Sequence, residues 1–89
     1  MKRFLLLLLI ERIRFLPRND DNNIRKGDKY ELLYWNKAGW QSLGVRTGTE
    51  NTELIFDNCP TNALFLLRNH TRGAEERIFT YENGKQVFW

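Results

Sequence analysis

The chain predicts an all-β domain, an antiparallel β-sandwich of about seven strands with an Ig-like or jelly-roll-like organisation. Three observations predict it. Short runs rich in Val, Ile, Phe, Tyr and Trp recur along the 89 residues, separated by Gly, Asn, Asp or Pro clusters. Several of these runs alternate apolar with polar residues, the period of a half-buried strand. The last fifteen residues carry Asn83-Gly84 between Ile78-Phe79-Thr80-Tyr81 and Val87-Phe88-Trp89. Asn-Gly between two β-prone runs signals a tight hairpin, because a type I′ turn needs φ > 0 at both central residues. A lone hairpin is marginal in water, so the preceding strands must complete the sheet.

Met1 to Ile10 imitate a secretory signal, with Lys2-Arg3 ahead of the apolar run Phe4 to Ile10. Glu11, Arg12 and Arg14 follow where a small-residue cleavage site belongs. The run is also too short for a membrane-spanning helix. Ile13 and Phe15 then alternate with Arg12 and Arg14. Residues 4 to 16 read as one long strand ended by Pro17, with a signal peptide or replacement sequence as the other readings of the leader. Pro17 to Asp28 is an Asn/Asp-rich loop holding one apolar residue, Ile24. Its composition resembles a Ca²⁺ loop but lacks the spacing of one, and Asx residues serve turns in their own right.

Tyr30 to Trp35 is the second strand, with Tyr30, Leu32 and Tyr34 on one face. A turn over Asn36 to Gly39 leads through Trp40 into the third strand, Gln41 to Arg46, with Leu43 and Val45 inward. Gly44 inside that strand marks a bulge or a close backbone approach. Leu54 to Phe56 is a short fourth strand stopping at Asp57-Asn58. Ala63 to Leu67 is apolar without alternation, as in a central strand covered on both faces. The loop Asn69 to Gly73 delivers the chain to the C-terminal hairpin. Residues 1–89 form a single β-sandwich domain, with 1–10 an atypical leader or first strand.

The totals narrow the function. Hydrophobic residues make up 42% and aromatics 13% of the chain, enough for a core and too apolar for disorder. Cys59, the sole cysteine, excludes an internal disulfide and a CxxC zinc site. Of the net charge of +3, the excess lies in residues 1–29, with eight Lys or Arg against four acids; the remainder has six against seven. Asp20, Asp21 and Asp28 break up the bases, so the pattern is a solvated face and loop, not a nucleic-acid stripe.

Catalytic and metal constellations are missing. His70 is the sole histidine, and a Cys59–His70 dyad would need the two adjacent in space with an orienting third group. There is no phosphate loop and no nucleophile elbow. The expectation is no catalytic residue, no metal and no cofactor. Asn69-His70-Thr71 is an N-glycosylation triplet, which matters only in a eukaryotic secretory setting. Glu75-Glu76-Arg77 with Arg72 reads as cross-strand ion pairing, because adjacent strand residues point to opposite faces.

The aromatic residues carry the functional potential. In Tyr34-Trp35 and in Phe88-Trp89, one ring of each pair must leave the core. Trp35, Trp40, Tyr81 and Trp89 are the candidate ligand-binding residues, able to stack on sugar rings or to anchor a protein surface. Cover by a second sheet or a neighbouring domain is the structural alternative.

Together RFLPRNDDNNI, YELLYW, GWQSLG, NALFLLRNHTRG and EERIFTYENGKQVFW resemble a C-terminal β-module of large secreted or surface proteins of gut bacteria. Many of those proteins carry a transglutaminase-like, papain-fold domain upstream. The resemblance covers about residues 12 to 89, and its most specific part is the closing segment; Met1 to Ile10 do not match. In the larger proteins further β-structure precedes this point, so the chain reads as a shortened version. The resemblance implies a non-catalytic accessory or interaction module, extracellular, periplasmic or at the cell surface, and carries over no catalytic residue. The expected partner is a glycan or another protein domain, with no nucleic acid, no membrane span and a homodimer through an edge strand. The alternative function is a carbohydrate-binding module built on the exposed Trp and Tyr rings.

Overall fold

The computed structural model describes residues 10–16, 24–49 and 53–89. The leader before Ile10 and most of the Asn/Asp-rich loop lie outside the described residues. Eight strands are present among those described: β1 (Ile10–Phe15), β2 (Lys29–Asn36), β3 (Gly39–Thr47), β4 (Leu54–Pro60), β5 (Phe65–Asn69), β6 (Ala74–Glu75), β7 (Phe79–Glu82) and β8 (Lys85–Phe88). The larger sheet runs β3-β2-β5-β7-β8, with β6 also pairing β5; the smaller is β1-β4. Every pairing is antiparallel. The two sheets meet face to face, as an antiparallel sandwich requires.

Alternation sorts the side chains. Tyr30 and Leu32 on β2, Phe65 and Leu67 on β5 and Phe79 on β7 point inward, against Ile13 and Phe15 of β1 and Leu54, Phe56 and Cys59 of β4. Phe79 sits at the centre. Its ring stacks on Phe65 at 5.5 Å, meets the edge of Phe15 at 5.4 Å and tilts against Phe88 at 5.7 Å. Each such ring contributes about 1.5–3 kcal/mol on burial, with about 0.5–1.5 kcal/mol more per well-oriented aromatic pair. The C-terminal hairpin forms as predicted. Asn83 and Gly84 both take positive φ, 53° and 76°, between the paired residues Glu82 and Lys85.

Three expectations need correction. Leu43 packs against the core, but Val45 points outward and is 49% exposed. The register of β2 and β3 shifts between Leu32 and Leu33, so Leu43 is the extra residue of a bulge at Gly44 (φ 126°) and the parity beyond it inverts. The fourth strand does not stop at Asp57-Asn58. It runs to Pro60, and Asp57 and Asn58 together oppose Arg12, Asn58 entering the left-handed region at φ 58°. An Asn there makes a bulge instead of a turn. Finally, the segment before the hairpin contains β6, held to β5 by Arg68–Glu75 at 2.7 Å and by the Glu76 N–H donating to the Leu67 carbonyl at 2.9 Å.

The sheets are joined at both margins by side chains. On one seam, the Arg14 N–H donates to the Tyr81 hydroxyl (3.3 Å) and the Leu16 N–H to Gln86 Oε1 (2.6 Å). On the other, Arg46 Nε donates to the Ile55 carbonyl at 3.0 Å while its guanidinium lies 5.0 Å from the Phe56 ring centroid. The second contact is a cation–π interaction, favoured where the cation is partly desolvated.

A buried polar knot ties the start of β2 to the turn after β5. Asp28, almost fully buried, accepts from Asn69 Nδ2 at 2.9 Å and from Arg72 Nε at 2.8 Å. The Asn69 amide, then the Arg72 guanidinium, hold the Asp28 carboxyl below its ordinary pKa against the opposing effect of desolvation. Gly48 fits here because the chain closes tightly. A Cβ on it would fall 2.1 Å from the Arg25 carbonyl oxygen.

Candidate functional site

The outer face of the larger sheet is built from the residues that alternate with the core. Leu33 and Trp35 alternate with Leu32 and Tyr34 on β2; Leu64 and Leu66 flank Phe65; Ile78 precedes Phe79; Val87 and Trp89 flank Phe88. The Trp35 N–H donates to the Leu64 carbonyl and the Trp89 N–H to the Ile78 carbonyl, both at 2.9 Å, extending the ladders beyond the strand ends. Two cross-strand rows result. One runs Trp40, Trp35, Leu64 and Thr80, and the next runs Ser42, Leu33, Leu66, Ile78 and Trp89.

Leu33 and Leu66, each 6% exposed, form the floor; Trp35 (47%), Leu64 (41%), Ile78 (36%) and Trp89 (65%) stand above it. The smaller sheet covers only the opposite face.

Three of the four predicted ligand residues are on this face. Trp35 and Trp40 pair across the β2–β3 hairpin, ring centroids 5.5 Å apart and planes at 71°, an edge-to-face contact that prevents the two rings from forming one flat platform. Trp89 stands at the β8 margin, three strand spacings or about 14 Å from β2. Its indole Nε1–H donates to Thr80 Oγ1 at 3.1 Å. Tyr81 is not part of this face. It points inward to the β1–β8 seam and helps line an open cleft of about 510 Å³ with Arg14, Leu16, Lys85, Gln86 and Phe88.

Sequence reasoning missed Leu33, Leu64, Leu66 and Ile78 as members of the face. The signal was the unbroken apolar run over 63–67. That run predicts cover on both faces, and the structure corrects this: Phe65 and Leu67 join the core under the smaller sheet, while Leu64 on the other side is left 41% exposed.

Polar groups around the face are already engaged. Thr80 Oγ1 donates to Glu82 Oε2 at 2.6 Å, and Ser42 Oγ accepts from the Gly44 N–H at 3.2 Å. Glu31 meets His70 Nε2 at 2.8 Å. Hydrogen bonds from Ser42 and then His70 hold the Glu31 pKa below its ordinary value.

The remaining chemistry-bearing residues are dispersed. Cys59 is buried in the core, its thiol directed at the Phe56 carbonyl at 3.5 Å, while His70 lies exposed beside Glu31. No group of three His, Cys, Asp or Glu side chains comes together among the described residues. Arg12, Arg14, Arg68 and Arg72 each pair with an acid, Asp57, Glu53, Glu75 and Asp28 respectively, so these bases form no open cationic stripe. The Asn69 side-chain nitrogen, where a glycan would attach, is buried against Asp28, and Thr71 Oγ1 accepts from the Lys29 N–H at 2.9 Å. Among the described residues no helix is long and apolar enough to cross a membrane.

In comparisons with protein-family models, curated proteins and solved structures, nothing matches this chain.

Proposed function

We propose that the chain is a non-catalytic accessory module of a secreted or cell-surface bacterial protein, and that it acts by docking a protein surface on the outer face of its larger sheet. One observation carries this reading: Trp35, Leu64, Ile78 and Trp89 all stand exposed on a single face whose reverse side is packed core. Contiguous apolar surface of this kind, rimmed by aromatic rings, is the usual anchor of a protein interface.

Carbohydrate binding is the second reading. It is favoured by two exposed tryptophans, Trp35 and Trp89, on one sheet face. Against it stand the aliphatic floor between them and the hydroxyls of Thr80 and Ser42, already bonded within the protein. A sugar needs polar partners beside its stacking rings.

The test is a ¹⁵N–¹H NMR titration with ANS, an anionic dye that binds exposed apolar surface, and, separately, with a panel of glycans. The expected result is dye-induced shifts at the Trp35 and Trp89 indoles and the Leu64 and Ile78 amides, with no glycan response. Glycan-induced shifts at those indoles would replace protein docking with carbohydrate binding.

A further inference from the structure

We propose that Asn83 is a site of covalent modification, a spontaneous deamidation whose isoaspartate product loosens the β1–β8 seam. The site is independent of the docking face.

Asn83 is the one asparagine of the chain followed by glycine. Gly84 has no Cβ to shield its main-chain nitrogen, and the space where one would stand is open, with no atom within 4 Å. Both residues are exposed. They occupy the centre of the turn, at φ 53° and 76°, outside the ladder that ends with Glu82 and Lys85. Among the described residues none hydrogen-bonds the Asn83 side chain. A loop tip beyond the last ladder pair is where local opening costs least.

Other described asparagines are restrained. Asn69 Nδ2 is held by the buried Asp28 at 2.9 Å, and Asn36 Oδ1 accepts from the Ala38 N–H at 3.2 Å. Asn58 and Asn62 share the left-handed φ, 58° and 55°. They precede Cys59 and Ala63, whose Cβ atoms crowd the nitrogen that would attack.

The chemistry needs only the turn, base and water. Base takes the proton of the Gly84 N–H, and the nitrogen attacks Asn83 Cγ. The N–Cγ bond forms, the Cγ–Nδ2 bond breaks, and Nδ2 leaves as ammonia with a proton from solvent. Water then opens the cyclic imide at either carbonyl. Cleavage of the new N–Cγ bond gives aspartate; cleavage of the original peptide bond gives isoaspartate, with the main chain rerouted through Cβ and Cγ.

The two products act differently on the fold. Aspartate keeps the length of the main chain and adds one negative charge to a chain of net +3. Isoaspartate adds a carbon to the main chain, which a two-residue type I′ turn does not accommodate. The pair Glu82 and Lys85 is then forced apart, and the next pair inward is Tyr81 with Gln86. Those two side chains hold the seam, the Tyr81 hydroxyl on the Arg14 N–H and Gln86 Oε1 on the Leu16 N–H. The Gln86 amide is already in poor balance, its Nε2 buried without a partner.

Peptide mapping by mass spectrometry, with isoaspartate detection, tests the proposal on the full chain incubated at mildly alkaline pH, folded and in urea. The expected result is conversion of Asn83 in the folded chain ahead of every other asparagine, to aspartate and isoaspartate. In the isoaspartate fraction the Arg14 and Leu16 amides should exchange with deuterium roughly fivefold faster or more, the effect of losing one hydrogen bond, with Leu32 and Leu67 unchanged. Asn83→Gly, which takes positive φ as readily, should age without that acceleration. Asn83→Asp, which has the charge and not the added carbon, should exchange as the fresh chain does.

If Asn83 stays intact in the folded chain while the unfolded chain converts, the turn shields it and the proposal falls. Isoaspartate with unchanged Arg14 and Leu16 amides, or an Asn83→Asp chain that exchanges as fast as the isoaspartate form, overturns the link to the seam.

Discussion

Leu66 and Leu67 are neighbours in sequence with nearly equal burial, 6% and 0% exposed, yet they belong to different environments. Leu67 enters the space between the sheets, among Phe65, Phe79 and Ile13. Leu66 enters the outer face, where the larger sheet shelters it with its own neighbours and nothing in the smaller sheet reaches it. One face of β5 is core by virtue of a second layer, the other only by virtue of adjacent side chains. Burial alone does not distinguish them; what lies above does.

The largest effect should come from the inner face. Phe79→Ala removes the ring that touches Phe15, Phe65 and Phe88, at a cost of about 3–5 kcal/mol. Urea melts should find the midpoint far below that of the parent, since the loss is a large fraction of the roughly 4–13 kcal/mol that a domain of this size has. Leu67→Ala should cost about 2–5 kcal/mol, and Leu66→Ala clearly less, because the outer site can relax into solvent without leaving a closed cavity. Equal costs for the two would mean that the outer face is covered in solution as fully as the inner.

Acid sharpens the same contrast. Asp28 and Glu31 both have lowered pKa values in the folded state. Each therefore contributes stability that is present above its unfolded value, about 4, and lost as pH falls through its folded value. Asp28→Asn should lower the neutral-pH melting temperature and flatten the acid limb of stability against pH. Glu31→Gln, on the outer side and partly exposed, should do the same to a smaller degree. Gly84→Ala should cost about 1 kcal/mol or more, by placing a Cβ at a left-handed turn position. Smallest of all, Leu64→Lys should change the stability of the monomer by less than about 0.5 kcal/mol in a urea melt on dilute protein, although the residue is central to the docking face.

The legible parts of the fold were those written in local chemistry. Asn83-Gly84 declared its hairpin, and Ile13, Phe15, Tyr30 and Leu32 declared their inward direction by alternation. Gly44 declared a bulge, but the side to which the following residues turn depends on which residue is left unpaired, so Val45 was assigned to the wrong face. Asp57-Asn58 was ambiguous because an Asn in the left-handed region serves a turn and a bulge equally well. Partners distant in sequence decided the outcome there, through the pairing of β4 with β1 and the Arg12–Asp57 contact at 2.6 Å. Of the candidate site, it was legible that one ring of Tyr34-Trp35 and one of Phe88-Trp89 leaves the core; that these are Trp35 and Trp89 follows from the strand register. Tyr81 was not excluded, because Thr80-Tyr81 carries no signal as to which of the two faces inward until Phe79 is fixed in the core.

The seams have a mechanical consequence. Where strands meet through a ladder, every residue added to the contact adds a main-chain hydrogen bond. Where they meet through Tyr81, Gln86 and Arg46, the joint is a few separate latches. The cost of one latch is visible: Gln86 Nε2 is buried with no hydrogen-bond partner, while its Oε1 holds the Leu16 N–H. The two sheets can thus part at a margin without disturbing either ladder, and the Arg14 and Leu16 amides should exchange with deuterium well before those of Leu32 and Leu67. The margins are held by separate latches, while the packed rings between the sheets hold the middle.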